Sequence, residues 1–74
     1  MSEQIMPFST GGFVVHKVYI SGSQCKFSAW YDENGKLVDA ERIDARGVSY
    51  PATTKQRAEL NGRGRGFLFR AFGR

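Results

Sequence analysis

Phe13-Val14-Val15-His16-Lys17-Val18-Tyr19-Ile20 is rich in β-branched and aromatic side chains and runs into Ser21-Gly22-Ser23. That pattern predicts a strand followed by a turn. Strict alternation sets Val14, His16, Val18 and Ile20 on one face and Phe13, Val15, Lys17 and Tyr19 on the other. Neither face is purely polar, so both are expected to be at least partly covered. A second strand follows over residues 25 to 32, with Cys25, Phe27, Ala29 and Tyr31 opposing Lys26, Ser28 and Trp30. Asn34-Gly35 reaches positive φ at little steric cost and is the strongest hairpin signal in the chain. Residues 36 to 44 return as a third strand, completing an antiparallel meander.

Beyond Arg46-Gly47 the period changes. Pro51 and the stretch Ala52 to Leu60 predict a short helix, with Thr53 as its cap, Gln56 in capping-box position and Asn61-Gly62 as its stop. So short a helix persists only by packing, and Ala52, Ala58 and Leu60 are the side expected against the sheet. Residues 1 to 12, broken by Pro7 and Gly11-Gly12, predict a flexible arm whose Ile5, Met6 and Phe8 are free to add to a sheet edge or a partner. The expected class is α+β: a small three- to four-stranded antiparallel meander with one short helix over residues 13 to 61. A basic Arg/Gly/Phe-rich tail follows over residues 62 to 74.

Charge sharpens this division. Residues 1 to 61 hold seven Lys or Arg against seven Asp or Glu, whereas 62 to 74 hold Arg63, Arg65, Arg70 and Arg74 with no acid. The net charge of +4 therefore comes from the last segment. A neutral body with one cationic end suits docking on a polyanion or an acidic cleft. Phe67, Phe69 and Phe72 interleave with these arginines, joining guanidinium forks for phosphate to rings that stack on bases. Phe67 to Phe72 also alternate acceptably as a fourth strand, since a small domain seldom leaves Phe-Leu-Phe in water. Either way, Arg63 and Arg65 are expected in an exposed glycine-rich loop. Trp30 is expected in the core; on the exposed face beside Lys26 it becomes an interface anchor.

Catalytic chemistry finds little support. His16 is the single histidine and Cys25 the single cysteine. A mid-strand histidine is more often structural or partner-contacting than a general base, and zinc asks for about four Cys or His ligands. Asp32, Glu33, Asp39, Glu41 and Asp44 are balanced by Lys36, Arg42 and Arg46, the composition of a solvated hairpin. Gly62-Arg63-Gly64-Arg65-Gly66 lacks the Lys-Ser/Thr and the preceding strand of a phosphate loop. No enzyme, cofactor or metal is expected. No apolar run approaches the roughly 20 residues that cross a bilayer, and the first residues do not read as a secretory signal. A lone cysteine fits a reducing compartment, so a monomer in the cytoplasm is the expectation.

In size, in its meander and in the cationic segment 62 to 74, the chain resembles the very small bacteriophage proteins that take over host machines. Among them it is most similar to phage regulators that bind host RNA polymerase, one kind of which sits near the RNA exit channel. That resemblance implies a non-catalytic protein that inhibits initiation or prevents termination, with its arginines near nucleic acid and its body on protein. It carries no residue assignments. Two alternatives share its physics: a stand-alone RNA- or single-stranded-DNA-binding protein, and an anti-defence inhibitor of a nucleoprotein complex.

Overall fold

A computed structural model describes residues 3–20 and 22–73. Five strands come first: β1 (Gln4–Pro7), β2 (Phe13–Tyr19), β3 (Lys26–Tyr31), β4 (Leu37–Ile43) and β5 (Ser49–Pro51). Two helices follow, α1 (Thr54–Gly62) and α2 (Gly64–Phe72). The sheet is antiparallel and its spatial order is its chain order, β1-β2-β3-β4-β5. The α+β class and the central meander match expectation. The counts differ, with five strands in place of three or four and two helices in place of one.

Three turns share one construction. Phe8, Asp32 and Asp44 each donate their N–H to the carbonyl four residues on, and each accepts from the glycine three residues on. Those glycines, Gly11, Gly35 and Gly47, all have positive φ, as a type I turn closed by a left-handed residue requires. Asp32 and Asp44 reinforce the last two. Asp32 Oδ1 accepts from the N–H of Asn34 and Lys36, and Asp44 Oδ1 from that of Arg46 and Val48, all at 2.8–3.0 Å.

The facing of β2 departs from strict alternation. Val15 lies across from Ala29 and Val18 across from Phe27, which leaves His16 and Lys17 together opposite Ser28. Lys17 takes the left-handed conformation, φ 63°, at this bulge. One extra residue reverses the period. Val18 and Ile20 therefore join Phe13 and Val15 in the core instead of opposing them.

The helices lie on that core face. Thr53 Oγ1 accepts from the Gln56 N–H and Gln56 Oε1 accepts from the Thr53 N–H, the expected capping box. Ala52 and Leu60 are buried, but Ala58 is exposed. Instead of stopping the helical path, Gly62 leads through Arg63, itself near-helical at φ −89° and ψ −5°, into α2. The junction is seated on the β3–β4 turn, where Gly64 and Gly35 pack backbone to backbone.

Two further expectations are corrected. Residues 4 to 7 are not a flexible arm but take the sheet-edge option open to Ile5 and Met6, β1 pairing with β2 from Gln4↔His16 to Pro7↔Phe13. Nor is residues 64 to 72 a strand or a tail. Gly64, Phe67, Leu68, Ala71 and Phe72 recur at helical spacing and form the inward side of α2, while Arg65, Gly66, Phe69 and Arg70 face out. Burying that stripe offsets the low helix propensity of the glycines. Phe13 stacks on Tyr31 at 5.0 Å between ring centroids and meets Phe72 edge-on at 6.0 Å.

Candidate functional site

The fold divides the residues singled out by sequence between two opposite faces. Arg63, Arg65, Phe67, Phe69, Arg70 and Phe72 belong to the helical layer. Lys26 and Trp30 alternate with the core residues Phe27, Ala29 and Tyr31 and so point to the other side of the sheet. Arg74 lies outside the described residues.

In the helical layer, charge is concentrated but largely tethered. Residues 54 to 72 carry Lys55, Arg57, Arg63, Arg65 and Arg70 against Glu59 alone, a net +4. Arg63 Nη2 donates to Glu59 Oε2 at 2.8 Å and its Nη1 to the Tyr19 carbonyl at 3.1 Å. Arg70 Nη1 donates to Glu3 Oε1 at 2.9 Å, and its guanidinium lies 5.7 Å from the centre of the Phe67 ring. Arg57 reaches Asp39 at 3.3 Å. Arg65 alone of the α2 arginines has no carboxylate within ion-pair distance among the described residues. Arg65 and Arg70 are thus mounted on α2 and Arg63 on its junction with α1, not on the flexible loop expected for Arg63 and Arg65. Phe67 is buried and Phe72 half-buried against the sheet, which leaves Phe69, 60% exposed, as the ring α2 presents to solvent.

Tyr31 ties the layer down. Its hydroxyl donates to the Leu60 carbonyl at 2.7 Å. Burial pushes its phenol well above the ordinary tyrosine range, with the Arg63 guanidinium pulling more weakly the other way. Tyr31→Phe should cost about 1 kcal/mol at neutral pH, the usual net worth of such a bond. The linkage has a definite sign. Tyr31 contributes fully below about pH 10, where tyrosine in the unfolded chain is still protonated. Above that, the unfolded chain releases the proton and the folded one keeps it, so stability falls as pH rises. Thermal melts from pH 8 to 11 should show a steeper decline for the parent than for Tyr31→Phe.

Among the described residues no helix lies on the sheet's other face. Met6, Val14, His16, Lys17, Tyr19, Ser28 and Trp30 share this side by register. His16 Nδ1 lies 3.0 Å from Ser28 Oγ, and the His16 and Trp30 rings meet edge to face at 6.4 Å. This local cluster explains why Val14 and Ser28 are buried on an otherwise open surface. Met6 and Tyr19 stay about half exposed, and Trp30 is half-buried. Lys17 and Lys26 share this side by register with Glu41 on β4, while the Asp39 carboxylate is taken by Arg57 of α1, so the face stays within one charge of neutral. Trp30 is therefore neither a fully enclosed core residue nor a bare ring. Sequence reasoning found Trp30 and Lys26 but missed His16, Lys17 and Tyr19 as their neighbours, because the bulge that brings Lys17 to this face leaves no mark in the alternation.

Among the described residues no three His, Cys, Asp or Glu side chains gather as metal ligands, and no helix is long and apolar enough to cross a membrane. Comparison with protein-family models, with curated proteins and with solved structures finds no match for the chain.

Proposed function

We propose that this protein is a non-catalytic regulator that docks on a nucleic-acid machine, with its open sheet face against protein and its helical layer toward nucleic acid. One observation carries the reading: the two faces differ in charge and chemistry. The sheet face is near neutral and carries a half-buried tryptophan, with a methionine and a tyrosine exposed on the same side. Aromatic residues and methionine with few net charges are what the centre of a protein interface favours. Residues 54 to 72 of the helical layer carry +4, and the layer stays at +2 when the Glu3 and Asp39 carboxylates that pair with Arg70 and Arg57 are counted, which suits a phosphate backbone. RNA polymerase is the machine favoured by the resemblance to phage regulators, and occupying its RNA exit region would interfere with initiation or hairpin-dependent termination.

Capture of purified bacterial RNA polymerase on the immobilised full chain tests this reading. Trp30→Ala should weaken capture about 30-fold or more, as the loss of an interface anchor worth at least about 2 kcal/mol does, while Arg65→Ala keeps it. No capture by the parent protein ends the polymerase reading. Loss on Arg65→Ala with Trp30→Ala unaffected would reverse the two faces.

A second reading, direct binding of RNA or single-stranded DNA, is favoured by the exposed Arg65 and Phe69, one helical turn apart on α2.

A further inference from the structure

We propose that the cleft lined by Glu3, Gly62, Arg63, Gly66, Phe67 and Arg70 is a phosphate-recognition site for single-stranded nucleic acid, occupied by the Glu3 carboxylate in the free protein. The cleft, about 340 Å³, opens between the α1–α2 junction and the start of β1. Two guanidinium groups line it. Arg63 is held in place by Glu59 and the Tyr19 carbonyl. Arg70 rests over the Phe67 ring, and its fork is engaged by Glu3. A side chain at Gly62 or Gly66 would meet nothing within 4 Å, so the backbone there is bare.

Carboxylate and phosphate oxygens offer a guanidinium the same acceptor geometry. Glu3 therefore stands where a phosphate oxygen would bind. Its pair with Arg70 is open to solvent, with the two side chains 28% and 49% exposed, and pairs of this kind are weak and readily exchanged. A phosphodiester matches the carboxylate in charge and in its two anionic oxygens, and the cleft that would receive it is lined by a second arginine, Arg63, as well as by Arg70.

The class of ligand follows from what the same helix presents outside the cleft. Arg65 and Phe69 stand one turn apart on the outer side of α2, the first without an ion partner among the described residues and the second with its ring in water. A nucleotide supplies both a phosphate for the fork and a base for the ring. Inorganic phosphate or a phosphopeptide leaves Phe69 unused. The inference rests on the reading of the helical layer as the side turned to nucleic acid, but its test needs no polymerase.

Fluorescence anisotropy of a labelled 12-nucleotide single-stranded RNA, titrated with the full chain across a sodium chloride series, provides the test. Affinity should fall with salt at a log–log slope of about −0.7 per phosphate engaged. Glu3→Gln should bind about two- to fivefold tighter than the parent, the scale of an exposed ion pair. Arg70→Ala should weaken binding, and Phe69→Ala should weaken it at least about fivefold, the lower end of a stacked base. A Glu3→Gln variant that binds no tighter than the parent, or an Arg70→Ala variant that binds as the parent does, overturns the site. Equal affinity for a phosphoserine peptide overturns the nucleic-acid assignment. Polymerase capture through Trp30 should survive both Glu3→Gln and Arg70→Ala, so failure of this site is distinguishable from failure of the docking reading.

Discussion

Gly64→Ala is expected to destabilise the protein by about 3 kcal/mol, the upper end of the usual overpacking penalty. A methyl group at this position would overlap the Gly35 carbonyl oxygen and press on the Tyr31 ring at 3.1 Å. The first obstacle is backbone, so no change of rotamer relieves it. Gly35 cannot simply retreat, because its positive φ closes the β3–β4 hairpin and Asp32 anchors the same turn. For a domain of this size, thermal midpoints shift by roughly 4–8 °C per kcal/mol, so a fall of more than about 10 °C is the expected readout. Gly62→Ala and Gly66→Ala are the controls. Neither would meet a neighbour, and each sits in a helix, where alanine is favoured over glycine by about 1 kcal/mol. Their midpoints should hold or rise. A Gly64→Ala protein as stable as the parent would mean that the helical junction does not rest on the hairpin turn.

Phe13→Ala should cost about 3–5 kcal/mol, the range for truncating a fully buried phenylalanine. Phe13 is 0% exposed and stands between Tyr31 and Phe72. It thereby joins β2, β3 and α2 in one aromatic stack. Losing it removes dispersion contacts and leaves a cavity under the helix that carries Arg65, Phe69 and Arg70. Chemical denaturation should show a large drop in midpoint, and proteolysis should reach the α2 segment first. Phe69→Ala, which removes an exposed ring from the outer side of the same helix, should leave the midpoint within about 0.5 kcal/mol of the parent.

Local chemistry made part of this fold readable. Asn34-Gly35 marked the hairpin, and Thr53 with Gln56 marked the start of α1, because both act through bonds to near neighbours. What stayed hidden depends on partners far along the chain. β1 has four residues and ends in Pro7, too little for a period of its own; its pairing is dictated by the edge of β2. The facing of β2 turned on a left-handed Lys17, which no propensity signals. In α2, alternation of Phe67, Phe69 and Ala71 competed with the helical series Gly64, Phe67, Leu68, Ala71 and Phe72. The second series was present in the sequence, but three glycines in six residues argued against it until a sheet was available to bury it.

The candidate site was legible in composition and not in arrangement. Counting charges placed the excess near the end of the chain, and the helical layer does hold it. Counting could not show that Glu3 tethers Arg70, since the two lie 67 residues apart; Glu59 and Arg63 are only four apart, but reading Asn61-Gly62 as a stop hid the helical turn that joins them. Nor could it show that Trp30 and the arginines lie on opposite sides of the sheet, which follows from the parity of β3 against the helices.

Spatial order equal to chain order has a consequence for biosynthesis. A ribosome releases β1 to β5 before any of α1 or α2, and each strand needs only the one just made in order to pair. The meander can therefore be complete while Phe13, Val15, Val18, Phe27 and Ala29 still await their cover. During that interval the nascent chain presents an apolar sheet to its surroundings, open to chaperones and to other nascent copies.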